Sequence, residues 1–165
     1  MMMICMAARE NASSAPASNS KTCILVVEDD PNDALLLERS LQKVRGDVPI
    51  RKVSHGLEAQ AYLRGDGDFA NRNLHPMPSL VLLDLKMPMM NGMELLDWLQ
   101  HSAEFSSLPV VVLSGSAREE DMSEARRLRA VEYIVKPFDF EEWKAVAMRL
   151  ISRWLKLGGP ASDLC

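Results

Sequence analysis

Cysteine is scarce in this chain and does not pair. Cys5, Cys23 and Cys165 are odd in number and lack CxxC spacing, which excludes both a disulfide framework and a cysteine zinc site and fits a reducing compartment. Aromatic residues are only 5% of the chain against 47% for all apolar residues, so the core must be aliphatic, and that apolar share excludes wholesale disorder. No apolar run reaches the length of about 18 residues that a membrane span requires. The start, Met1-Met2-Met3-Ile4-Cys5-Met6, has no basic flank, and Arg9-Glu10 interrupts it too early for a secretory signal. Net charge is −4, with no basic stripe. The densest basic group, Arg126, Arg127 and Arg129, lies close to Glu119, Glu120, Asp121 and Glu124, which argues against nucleic acid as a partner. A soluble cytoplasmic protein that neither crosses a membrane nor binds nucleic acid is the expectation.

What the chain does contain is alternation. Its 165 residues suit one domain. Residues 11–22 are rich in Ser, Ala and Asn, and Gly158-Gly159-Pro160 closes the last helical pattern. The expected division is therefore an N-terminal arm at 1–21, a domain at 22–157 and a tail at 158–165. Within the domain, residues 23–27, 79–83, 110–113 and 133–135 are short apolar runs, the mark of strands covered on both faces. Residues 50–53 carry two basic residues and suit an edge strand.

Helical periodicity fills the gaps. Ala34, Leu37, Leu41 and Val44 form one stripe behind Pro31 and Asp33, and Trp143, Val146, Ala147, Leu150, Ile151 and Trp154 form another. Weaker helices are expected at 56–63, 92–100 and 118–129. The order is βαβαβαβαβα, and right-handed crossovers make it a three-layer α/β sandwich. Residues 64–78 form the one long irregular connection. Its Gly65-Asp66-Gly67-Asp68 string lacks the ligand pattern of an EF-hand, so a surface loop is expected there.

Four polar stations stand at the carboxyl ends of apolar runs: Glu28-Asp29-Asp30, Asp84, Ser114 and Lys136-Pro137-Phe138. In an open parallel sheet these ends share one edge, where ligands bind at the topological switch point. Glu28, Asp29 and Asp84 offer hard oxygen ligands to a cation such as Mg²⁺. A carboxylate can also attack phosphorus, a hydroxyl can donate to a phosphoryl oxygen, and an ammonium can neutralise it. Singly, each has a plain alternative: an acidic loop with a helix N-cap, a turn serine, a solvated lysine. Their joint placement favours phosphoryl chemistry.

The strings Val26-Val27-Glu28-Asp29-Asp30-Pro31, Asp84-Leu85-Lys86-Met87-Pro88 with Asn91-Gly92, Leu113-Ser114-Gly115-Ser116 and Lys136-Pro137-Phe138 together resemble the receiver domain of two-component response regulators. The likeness covers roughly residues 22–157. Asp30-Pro31-Asn32-Asp33 and Ala61-Tyr62-Leu63-Arg64-Gly65, with the long loop, are similar to single-domain regulators of phytochrome-type and hybrid histidine kinases. The resemblance implies a flavodoxin-like (βα)5 fold with strand order 2-1-3-4-5. It implies Asp84 as phosphoacceptor, and Mg²⁺ held by Asp29, Asp84 and the backbone carbonyl of Lys86, with Glu28 acting on the ion directly or through water. Ser114 would be the switch hydroxyl, Lys136 the phosphate-binding lysine and Tyr133 the aromatic that changes rotamer.

A cis peptide would join Lys136 to Pro137, and Lys86 and Ser116 would border the water that hydrolyses the phosphoryl group. The donor would be a histidine kinase or a histidine phosphotransfer protein, which leaves His55, His75 and His101 as spectators. Output would pass through protein contacts of a stand-alone switch, among them a possible homodimer through residues 118–129, the last strand and the last helix. Ala130-Val131-Glu132 replaces the small-residue turn common in that family, so the path into the last strand is expected to differ.

The rivals are a phosphorylation-independent module of the same fold, a haloacid-dehalogenase-type phosphatase and a flavodoxin-like cofactor carrier. The phosphatase needs a second Asp where Lys86 stands. The carrier needs a phosphate-cradling loop where Glu28-Asp29-Asp30 would repel a phosphate, and no Walker string is present.

Overall fold

A computed structural model describes residues 22–155. The expected arm and tail, with Cys5, Cys165 and the Gly158-Gly159-Pro160 stop, lie outside the described residues. Five strands, β1 (Ile24–Val27), β2 (Ile50–Val53), β3 (Leu80–Leu83), β4 (Val110–Ser114) and β5 (Glu132–Val135), alternate with α1 (Pro31–Val44), α2 (Gly56–Arg64), α3 (Gly92–His101), α4 (Glu119–Arg127) and α5 (Phe140–Trp154). All pairings are parallel and the order is β2-β1-β3-β4-β5, the flavodoxin-like arrangement. β2 is an edge strand, as its basic residues suggested.

Side chains alternate across a strand, and this sorts the apolar runs into two cores. Ile24, Val26, Leu80, Leu82, Val111 and Leu113 face one side, where Leu37 and Leu41 of α1 and Trp143, Ala147 and Leu150 of α5 cover them. Leu25, Val27, Val81, Leu83, Val110 and Val112 face the other, under Ala59 and Leu63 of α2, Leu95, Leu96 and Leu99 of α3 and Ala125 of α4. Each fully buried large side chain contributes about 1.5–3 kcal/mol. The expected helical stripes are therefore core packing, and Cys23 is a fully buried free thiol whose pKa burial raises.

Local chemistry sets the helix ends. Asp30 caps α1 by accepting from the amides of Asn32 (2.8 Å) and Asp33 (3.2 Å). His55 caps α2 through Nδ1, and Gly65, at φ 75°, closes it in the left-handed region that glycine enters without penalty. Asn91 and Glu94 form a reciprocal capping box at α3. The 118–129 helix is shorter than expected: Leu128 ends it and Arg129 turns out at φ 67°. Val131 then donates to Val110 and Glu132 opens β5 beside Val111, one position before the apolar run 133–135.

The connection after α2 is a largely exposed surface loop, as expected, and it is tied back onto α2. Gly67–Phe69 makes a 3₁₀ turn, and the Phe69 and His75 rings pack on Tyr62 at 5.2 and 5.7 Å. Arg72 donates to the carbonyls of Tyr62 (2.8 Å), Leu63 (2.5 Å) and His75 (3.3 Å).

Candidate functional site

Register brings the stations together. Val27 pairs with Leu83 and Ser114 with Val135, so Glu28, Asp84, Ser114 and Lys136 end four strands at one edge. The backbone is tied there as well: Asp84 N–H donates to Val27 (2.9 Å), Glu28 N–H to Val53 (3.0 Å) and Lys136 N–H to Ser114 (2.8 Å). Gly92 keeps the turn after β3 tight. A Cβ there would collide with the Asp84 carbonyl and lie 2.8 Å from Leu85 Cα, so the start of α3 can approach Asp84 only as glycine.

Glu28, Asp29 and Asp84 each place one carboxylate oxygen within 4.8 Å of the other two. Three hard oxygen donors at this spacing fit a divalent cation of the Mg²⁺ or Mn²⁺ kind. The acidic string thus divides its labour: Asp30 is the N-cap, as the plain alternative had it, while Glu28 and Asp29 join Asp84. Burial pushes Glu28 up to about 7, against the pull of its hydrogen bond to Lys136. Burial likewise raises Asp84, against the opposing charge of Lys136 and amides donated by Lys86 and Leu85.

Lys136 sits among three carboxylates, its side chain 13% exposed. Its Nζ lies 2.7 Å from Glu28 Oε2, 2.8 Å from Asp33 Oδ2 and 3.5 Å from Asp84 Oδ1. Burial alone would lower its pKa, but the hydrogen bonds from Asp33 and Glu28 and the charge of Asp84 outweigh that, so it is held above the ordinary lysine value. Sequence reasoning placed Asp33 only at the start of the first helix and gave it no partner. Its partner lies 103 residues away, and the available signal was its place in the first turn of a helix leaving the same edge.

The expected cis bond is corrected: the Lys136–Pro137 peptide is trans, as are all peptides among the described residues. A proline bond prefers trans by about 0.5–1 kcal/mol, and the lysine reaches the carboxylates in that isomer. Phe138, which follows, is 99% exposed.

Ser114 is buried, and its Oγ accepts from Ser116 N–H (3.2 Å). The buried Ser116 donates through its hydroxyl to Asp121, and its carbonyl accepts from the Tyr133 hydroxyl (2.8 Å). Ser114, Ser116 and Tyr133 are thereby linked, with Asp121 a participant that sequence reasoning missed. Lys86 is exposed and lines, with Leu85, Asn91, Met93, Ser114 and Asp121, a cleft of about 340 Å³ beside the carboxylates. His55 caps α2 just past the end of β2, His101 bonds the Asp97 carbonyl and His75 joins an aromatic cluster; none of them bonds to Glu28, Asp29, Asp84, Ser114 or Lys136.

Residues 24–147 match the family model of the response regulator receiver domain. Response regulator Rcp1 from Synechocystis sp. is 31% identical over 139 residues, which are 84% of this chain and 92% of that protein. The phosphorylated cyanobacterial phytochrome response regulator RcpA has a similar crystal structure: TM-score 0.76 and 31% identity, covering 86% of this chain and 99% of the other. The Mn(2+)-bound form of Rcp1 gives TM-score 0.74 and 30% identity, over 84% and 97% of the two chains.

Proposed function

The chain belongs to the response regulator receiver family, and from that footing we propose that it is a phosphorylation switch in which Asp84 accepts a phosphoryl group from a partner's phosphohistidine. The observation that carries this reading is the buried Asp84 at the end of β3, beside Glu28 and Asp29 and 3.5 Å from Lys136. An Asp84 carboxylate oxygen forms the bond to phosphorus as the phosphorus–nitrogen bond breaks, and the electron pair leaves with the donor imidazole. Glu28, Asp29, Asp84 and the Lys86 carbonyl would hold Mg²⁺, which supplies charge neutralisation for the phosphoryl oxygens. The likeness to phytochrome response regulators supports a phytochrome-type or hybrid histidine kinase as donor, with a histidine phosphotransfer protein as the other source.

Lys136 then neutralises one phosphoryl oxygen and Ser114 donates its hydroxyl to another. Drawing Ser114 toward the phosphoryl group pulls on the amide of Ser116, whose carbonyl holds the Tyr133 hydroxyl. This hydrogen-bonded chain is the route by which Tyr133 changes position and alters the face of α4, β5 and α5. Coupling of this kind is worth about 1–3 kcal/mol, enough to shift a population. Output then runs through protein contacts on that face, where Val135 is exposed, to a second copy or another protein.

The test is intact mass after treatment with a small-molecule phosphodonor, with and without Mg²⁺. One phosphoryl addition that requires Mg²⁺ and vanishes in Asp84→Asn is expected. Addition that persists in the variant would move the acceptor elsewhere, and no addition in any arm would favour a phosphorylation-independent module.

A further inference from the structure

Lys136 has three N–H donors, and their use is unequal. Charge-assisted N–H···O bonds close to about 2.7–2.9 Å. Glu28 at 2.7 Å and Asp33 at 2.8 Å meet that distance, whereas Asp84 at 3.5 Å does not. Asp33 lies outside the three-carboxylate cluster suited to a cation, and its carboxylate accepts from Lys136 alone among the described residues. The Asp30 cap fixes the backbone of its turn, with Asp33 N–H donating to Asp30 at 3.2 Å.

We propose that Asp33 is a positioning residue that competes for Lys136, holding the ammonium off Asp84 until a phosphoryl group draws it across. The inference rests on the roles given above to Asp84 and Lys136. Of the three acceptors, Asp33 releases the lysine at least cost. Its side chain is 35% exposed and can be rehydrated, while those of Glu28 and Asp84 are buried. The positive end of α1 also favours the Asp33 carboxylate after the lysine has gone. The unbranched lysine stem swings between acceptors by rotamer changes alone.

Beryllofluoride, a tetrahedral anion that stands in for a phosphoryl group on a carboxylate, tests this in saturating Mg²⁺ with bound fluoride read by ¹⁹F NMR. Asp33→Asn should bind it about fivefold more tightly than wild type, the scale of one partly exposed ion pair. Lys136→Met should bind more weakly, and adding Asp33→Asn to it should change nothing further. Equal or weaker binding by Asp33→Asn would overturn the proposal, as would a gain that persists without Lys136, since the effect would then be bulk charge. If wild type itself bound no beryllofluoride, the receiver chemistry would fail and this inference with it. A wild type that binds with an unaffected Asp33→Asn would sink the inference alone.

Discussion

The two ends of β5 carry the same kind of cluster with the signs exchanged. At its start Glu132, side chain 13% exposed, receives Arg149 (2.9 Å), Arg153 (3.7 Å) and the Trp154 indole N–H (3.3 Å). Just past its end Lys136, also 13% exposed, is surrounded by Glu28, Asp33 and Asp84. The resemblance stops at the surrounding charges. The side chains of Arg149 and Arg153 are 54% and 59% exposed, so water carries the surplus positive charge and the cluster simply ties α5 to β5. At the other end Glu28 and Asp84 are buried, so their surplus negative charge can be relieved only by a proton or a cation. An unbalanced cluster is at rest where its surplus is hydrated and calls for a proton or a cation where it is not.

Removing the central charge from each end should break this comparison most sharply. Lys136→Met leaves two buried carboxylates without their ammonium, and in EDTA it should lower unfolding stability by about 3 kcal/mol in urea titration. Mg²⁺ should restore much of that loss, and phosphoryl acceptance should fall. A variant as stable in EDTA as wild type would show that protonation alone relieves the site.

The next effect separates the ends by their response to pH and metal. Burial holds Glu28 at about 7 against an ordinary 4.5, so the folded protein keeps a proton that the unfolded chain releases. That contribution to stability is complete below pH 4.5 and is lost as the pH rises through about 7; the raised Asp84 adds in the same direction. A divalent cation binds where the proton has left. The rise in unfolding temperature produced by Mg²⁺ over EDTA should therefore grow between about pH 5 and pH 8. A gap that does not change with pH would detach these carboxylates from the metal.

The smallest effect belongs to the hydrated end. Glu132→Gln keeps an acceptor for Trp154 and frees two solvated arginines, so it should cost about 1 kcal/mol, independent of Mg²⁺, with phosphoryl acceptance unchanged. A loss as large as that of Lys136→Met, or one reversed by Mg²⁺, would erase the distinction.

Sequence pattern read the sheet well because burial on both faces leaves continuous apolar runs, and Asp84 after Val81-Leu82-Leu83 stood out against such a run. It read β2 as an edge from two basic residues. It read residues 64–78 as a surface loop but not what ties that loop down, because Phe69, Arg72 and His75 are pinned by contacts with Tyr62 and backbone carbonyls that no local periodicity encodes. It expected a cis proline where the chain is trans, since the isomer energies differ by so little that tertiary context decides.

Asp30 and Asp33 show where the boundary lies. Capping is local, so Asp30, one residue before Pro31, is readable as an N-cap from the string itself. The bond from Asp33 to Lys136 spans 103 residues and exists only because parallel register brings the first and last loops to one edge. Residue types and their place at strand ends therefore determined the layers, the two cores and the chemistry available at that edge. Which carboxylate holds the lysine, which carboxylates can share a cation, and how Ser114 is tied to Tyr133 were decided by the packed fold, because ångström-scale distances between charges belong to tertiary structure and not to spacing along the chain.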